Sequence, residues 1–335
     1  MNACWPDDDT IRTVLTLATR APSIYNSQPW RWRVADEAVH LYLDASLRLP
    51  GTDPDGRDLI VSCGAALNHC VVGLAAMGWR ASVHRLPEPD HPGHLAAIRL
   101  RACDVDPVDV TLAAAIPRRR TDRRIYSRWP VPPGDIVLMG ARAARSGVML
   151  RRVDPLDRLK TIVTQSVLQH ATDRRYLTEL TAWSGRYRSV AGVPARSTPA
   201  PDPAAAIPAR AFAGAVLAQP LGASATEDNA VVLALGTETD DRMARLRAGE
   251  ATSVVLLTAT SLGLASCPVT EPLEVRGTRD AVRAEVFGDS GYPQMLLRVG
   301  WAPVNADPLP ATPRRELGDV VTWPAGRERA ASPPR

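Results

Sequence analysis

The chain has 335 residues, 45% hydrophobic and 23% charged, which allows a large buried core and exceeds a typical single domain. Forty basic residues against 36 acidic ones leave a formal net charge of only +4, with the acids spread along the whole chain, so composition gives no case for a nucleic-acid partner. A single lysine, Lys160, argues against Schiff-base and Walker-type phosphate chemistry, and five scattered cysteines (Cys4, Cys63, Cys70, Cys103, Cys267) without a CxxC pair argue against disulfides and zinc.

The opening MNACWPDDDT is acidic where a secretory leader is basic, and no 18 apolar residues run uninterrupted, so a cytoplasmic protein without a membrane partner is expected. From Thr10, Ile11, Val14, Leu15 and Ala18 repeat at helical spacing until Ala21 and Pro22. Trp30, Trp32 and Val34 then alternate with Arg31 and Arg33, and Val39, Leu41 and Leu43 alternate with His40 and Tyr42, which predicts a strand hairpin. Leu59, Cys63, Leu67, Val71 and Leu74 mark a helix from about Asp58 to Met77, stopped by Gly78, and strands are expected around 81–86 and 95–100. His84, His91 and His94 cluster in the Pro-rich stretch HRLPEPDHPGH without metal-ligand spacing.

Beyond a helical 112–116 comes the cluster RRRTDRR (Arg118 to Arg124), then a helix leading into a strand that ends near Val153. Pro155 can start one long helix toward Trp183. Gly192 to Arg210 carries five prolines and little periodicity, which predicts a mobile flap over about 185–228. A strand near 230–235, a helix from about 250 to 262 and a strand over 294–300 follow, and residues 324–335 read as a disordered tail. Residues 1–107 and 108–323 each contain a polar or basic motif, a long apolar helix ending at glycine and a following strand, the pattern expected of two distantly copied halves.

Two motifs carry chemistry. In LATRAPSIYNSQPWRWRV (Leu17 to Val34) a helix-ending turn at Pro22 and Ser23 frees backbone donors and acceptors, and Asn26 supplies both kinds on one side chain. In IPRRRTDRRIYSRWPVPPGDI (Ile116 to Ile136), Arg119 and Thr121 offer the forked cation and hydroxyl that a phosphate monoester wants, although Pro117 removes a backbone N–H just before them. The cluster lacks interleaved aromatics and a broad basic face, so nucleic-acid binding is the poorer reading.

In this order the motifs resemble those of the FMN-dependent nitroreductases. GEATSVVLLTATSLGLASCPVTEP, YPQMLLRVGWAP and TPRRELGDVV extend the resemblance almost to the end of the chain, and ATRAPS, SCGAAL, RRTDR and PATPRR look most like the Acg-type group. The resemblance implies an α+β, three-layer α/β/α fold, here as a tandem-fused pseudo-dimer in one chain. It implies an FMN held by Pro22, Ser23, Asn26 and Gln28, by Arg119, Thr121 and Arg123, by Pro268, Val269, Thr270 and Glu271, and by Arg314 and Arg315 as a phosphate clamp. Arg123 would lie toward N1 and C2=O of the flavin, where charge gathers on reduction.

In the family the turn and the arginine cluster come from different subunits of a dimer. Here each half carries one of them, so one complete site, an empty mirror-image site and a monomer are expected. The implied activity is hydride transfer from NAD(P)H through flavin N5 to a small electrophilic acceptor such as a nitroaromatic or quinone, with no separate catalytic acid, base or nucleophile and no metal. The alternative is an FMN-storing protein whose flap excludes both nicotinamide and acceptor.

Overall fold

The computed structural model describes residues 5–35, 37–186, 189–220, 222–303 and 305–324. The tail expected over 324–335 therefore lies, from 325 onward, outside the described residues, as does Cys4.

Helix α1 (Asp8–Ala18) starts where the Asp7 carboxylate accepts from the Thr10 N–H, and it buries Ile11, Val14, Leu15 and Ala18, the stripe read from the sequence. Strands β1 (Trp30–Ala35) and β2 (Ala38–Leu43) form the predicted hairpin, with Trp30 and Trp32 buried and Arg31 and Arg33 exposed. Helix α2 (Arg57–Ala76) and strands β3 (Trp79–Arg85) and β4 (His94–Ala102) complete the first half. Although α2 has the length and apolarity of a membrane span, it is buried as a core helix.

The second half contains α3 (Pro107–Ala115), α4 (Pro133–Ala144), β5 (Met149–Val153), α5 (Asp157–Thr172) and α6 (Arg174–Trp183). After β6 (Ser184–Arg186) and β7 (Val193–Pro194), a short parallel pair, come β8 (Val231–Thr237), α7 (Arg242–Ser261), β9 (Ala265–Val269), α8 (Glu271–Glu274) and α9 (Arg276–Val282). The last elements are β10 (Tyr292–Gly300), α10 (Leu317–Val320) and β11 (Val321–Thr322).

Three expected boundaries move, each at an aspartate. The helix expected over 112–116 starts at Pro107, where Asp106 accepts from the Val108 N–H. The single helix expected from Pro155 to Trp183 is two, since Asp173 leaves helical geometry and caps α6 by accepting from the Arg175 and Tyr176 N–H groups. Helix α7 begins at Arg242 rather than near Glu250, since Asp241 accepts from the Ala244 N–H ahead of polar turns that hide the helical period.

The first sheet runs β11-β1-β2-β4-β3 and the second β5-β8-β10-β9. All pairs are antiparallel except β1 with β11, where the last segment of the second half crosses back and sets Val321 beside Trp32. The second sheet is covered on both faces. Val231, Leu233 and Leu235 of β8 pack toward α4 and α7, whereas Val232 and Ala234 pack toward α5 and α9. The first sheet rests one face on α1 and α2. The fold is thus α+β, with helix-sheet-helix layering in the second half.

Helices α2 and α7 join the two cores: Leu246 of α7 belongs to the first and Val61 of α2 to the second. They cross at Gly64 and Gly249. A Cβ on Gly64 would stand 2.1 Å from the Leu246 backbone oxygen, and one on Gly249 2.0 Å from that of Val61.

Just before α2, Asp53 is buried and its Oδ2 accepts from the Leu59 N–H at 3.0 Å. Burial, then the neighbouring Asp58, push its carboxyl up to about 6, against the pull of Arg57. The folded protein keeps this proton where the unfolded chain, with an ordinary aspartate pKa of about 3.9, has lost it. Stability through this group therefore falls as pH rises from about 4 to 6. Asp53→Asn should flatten that segment of the melting-temperature profile. A profile that keeps its slope would assign the titration elsewhere.

Candidate functional site

Residues of both halves wall one cavity. Pro22, Ser23 and Asn26 come from the turn after α1, Asp58, Val61 and Ser62 from α2, Arg119, Thr121 and Arg123 from the basic cluster, and Pro268 to Glu271 from the end of β9. Arg314 closes one side, and the proline-rich segment contributes Val193, Pro194, Ser197, Pro199, Ile207, Arg210 and Phe212. Eleven of the thirteen residues singled out in the sequence therefore line the cavity: Pro22, Ser23, Asn26, Arg119, Thr121, Arg123, Pro268, Val269, Thr270, Glu271 and Arg314.

Gln28 and Arg315 are not among the lining residues. The buried Gln28 amide donates to the Asn26 and Val190 carbonyls at 3.2 and 2.8 Å and accepts from the Arg315 N–H at 2.9 Å, so it braces the turn from behind. Of the two expected clamp arginines, only Arg314 faces the cavity.

The turn is a strained piece of backbone. Tyr25, Asn26 and Gln28 have φ of 47°, 53° and 54°, a region that costs a non-glycine residue on the order of 1–3 kcal/mol. Hydrogen bonds hold it there. Ser23 Oγ accepts from the Gln28 N–H at 3.0 Å, Ser62 Oγ accepts from the Ile24 N–H at 3.1 Å, and the Asn26 side-chain amide donates to the Gly192 and Pro313 carbonyls at 3.2 Å. Asn26 thus ties the turn both to the proline-rich segment and to the C-terminal loop.

At one end the cavity is strongly positive. Burial, then Arg120, Arg20 and Arg123, push the Arg119 guanidinium down to about 10, and burial, then Arg119, push that of Arg314 down to about 9. The nearby buried His69 is pushed down to about 3, by burial first and Arg119 second. Among the described residues neither Arg119 nor Arg314 is ion-paired with a carboxylate.

The two guanidiniums differ in what they have left to offer. Arg314 donates to the carbonyls of Thr19, Arg20, Ala21, Thr312 and Pro313, four of them at 2.9–3.1 Å, and so caps the C-terminal end of α1. Among the described residues Arg119 makes only 3.5 Å contacts, to Thr121 Oγ1 and the Arg20 carbonyl, and its Nε is buried without a partner. A buried cation in that condition is costly unless an anion joins it.

The wall also holds two acidic groups, Asp58 and Glu271, and sequence reasoning missed the partners of Glu271. Glu271 Oε1 accepts from His170 Nδ1 and from the Tyr176 hydroxyl, both at 3.2 Å, and the two rings stack 3.7 Å apart. Burial would raise the Glu271 pKa, but Arg210, then His170 and Tyr176, outweigh it and hold the carboxyl below the usual range. Arg210 reaches in from the proline-rich segment, pairs with Glu274 at 2.5 Å, and donates to Thr270 Oγ1 at 3.2 Å and to the Tyr25 hydroxyl. The expected flap is thus folded over the cavity, fastened by Arg210 to Tyr25, Thr270 and Glu274 and by its Val190 and Gly192 carbonyls to the Gln28 and Asn26 side chains.

No protein-family model matches the chain. Among curated proteins it is 66% identical over 324 residues to "Putative NAD(P)H nitroreductase Rv3131" of Mycobacterium tuberculosis, covering 97% of this chain and 94% of that protein. It is 36% identical over 317 residues to "Putative NAD(P)H nitroreductase acg" of the same organism, covering 93% and 95%. Among solved structures, the FMN-dependent nitroreductase NfnB of Mycobacterium smegmatis, in complex with NADPH, aligns with a TM-score of 0.40 at 17% identity, over 65% of this chain and 99% of that one. Identity of this extent over nearly the full length of both sequences places the chain in the family of the mycobacterial proteins Rv3131 and Acg, which carry the NAD(P)H nitroreductase name.

Proposed function

We propose that the cavity binds one FMN, with its phosphate at Arg119 and Thr121, and that the protein is an NAD(P)H-dependent oxidoreductase for nitroaromatic or quinone-like acceptors. The supporting observation is the Arg119 guanidinium, buried among other arginines with a partnerless Nε and only long contacts, which fits a dianionic group and no protein residue. Bound FMN would supply the two-electron chemistry. The chain's own residues would position it: Pro22, Ser23 and Asn26 along one edge, Arg123 as a buried positive charge, and the end of β9 beneath. On this reading residues 1–107 and 108–323 are fused halves of a pseudo-dimer with one loaded seam, in a protein that is a monomer. NADH or NADPH, and then the acceptor, would reach the same cavity.

Arg119→Ala should lower FMN affinity by roughly 1.5–3 kcal/mol, the range of a charge-assisted hydrogen bond, and should stabilise the FMN-free protein because a repelled buried charge is gone. Fluorescence titration with FMN and thermal melts of FMN-free protein read the two arms, and unchanged affinity would remove the phosphate assignment.

The fastened flap favours a second reading, retention of FMN with little turnover. Anaerobic titration with NADPH separates the two: bleaching of the bound flavin supports the enzyme, whereas flavin that only dithionite reduces supports the store.

A further inference from the structure

The wall opposite in charge to the arginines carries an acceptor that the protein itself leaves unused. Glu271 is 5% exposed and lines the cavity. The donors His170 Nδ1 and the Tyr176 hydroxyl both converge on Oε1, while Oε2 is buried with no hydrogen-bond partner among the described residues. Arg210, whose charge acts on Glu271, is bonded instead to Glu274, Thr270 and Tyr25. A buried carboxylate oxygen without a donor is a standing cost, removed by any ligand that brings an O–H or N–H to it. The stacked His170 and Tyr176 rings fix the carboxylate from behind, so it is held in place before a ligand arrives.

The neighbouring wall says what shape that ligand has. Tyr25 and Phe212 both line the cavity and meet edge to face, with ring centroids 6.3 Å apart, a setting for a flat aromatic body. We propose that Glu271 selects the acceptor: the protein takes planar aromatic acceptors that carry an O–H or N–H donor, which bonds to Glu271 Oε2, and it disfavours anionic ones. This deepens the oxidoreductase reading and rests on it for calling the ligand an acceptor. Asp58, the other carboxylate in the wall, is already ion-paired, its Oδ1 with Arg57 at 2.5 Å.

The test is calorimetric binding of 4-nitroaniline, N,N-dimethyl-4-nitroaniline and 4-nitrobenzoate to the FMN-saturated protein without NAD(P)H. The first should bind roughly tenfold or more tighter than the dimethyl compound, the span of one charge-assisted hydrogen bond, with 4-nitrobenzoate the weakest. Glu271→Gln keeps a neutral acceptor and should narrow the gap to about threefold, and Glu271→Met should close it. Equal affinities for the three compounds, no binding of any, or a gap that survives both substitutions would overturn the proposal. So would variants that lose FMN affinity while the gap stays unchanged, since the oxygen would then serve the cofactor. Calorimetry needs no turnover, so a protein that fails to bleach with NADPH, which counts against the enzyme reading, still reports the ligand ratio.

Discussion

Gly64→Ala is expected to cost at least ~3 kcal/mol of folding free energy, more than most overpacked core positions. The methyl group would have to occupy a point 2.1 Å from the Leu246 backbone oxygen and 2.9 Å from the Gly249 Cα, both parts of a helix backbone with no rotamer to move aside. The only relief is to separate α2 from α7. Those helices share both hydrophobic cores, so separation opens voids around Val61 and Leu246 together. Gly249→Ala should behave alike, because the clash is reciprocal. In the double variant the second methyl should cost less than the first, since the helices have already parted. Denaturant unfolding of the two single variants and the pair measures this, and a single variant as stable as the parent would mean the helices do not cross at these glycines.

That crossing shows where legibility ended. The sequence made α2 visible as an apolar stripe, but a glycine inside a helical pattern reads locally only as a loss of propensity, and what makes Gly64 necessary lies on another helix far along the chain. Period-two alternation exposed the Trp30 and Trp32 strand, because one face is buried and the other is wet. The two-residue β11, whose place is set by pairing with β1, left no such trace. The turn and arginine motifs were readable because each is continuous in sequence. His170, Tyr176 and Arg210 were not, since they meet Glu271 and Glu274 only through the fold and carry no local signature. Between adjacent Arg314 and Arg315, only the path of the loop decides which one meets the cavity.

Arg210 is the position where a single charge should control the flap. Arg210→Met leaves the Glu274 side chain, 0% exposed, with Thr270 Oγ1 at 2.7 Å as its remaining partner, and it takes the donor from the buried Tyr25 hydroxyl. Stripping one partner from a buried ion pair costs about 3–5 kcal/mol when the rest of the structure stays in place. Here it need not stay in place. The segment around 199–217 is irregular and Arg210 is its charged anchor, so opening the flap can hydrate Glu274 and release most of that cost locally. The variant should therefore show rapid protease cleavage within 199–217, with a drop in global stability smaller than the pair energy suggests. Adding Glu274→Gln removes the stranded carboxylate and should restore part of the protection, which no general loosening of the fold would do. Cleavage at the parental rate in Arg210→Met would mean that packing of Phe212, Val193 and Ile207, not the ion pair, holds the flap down.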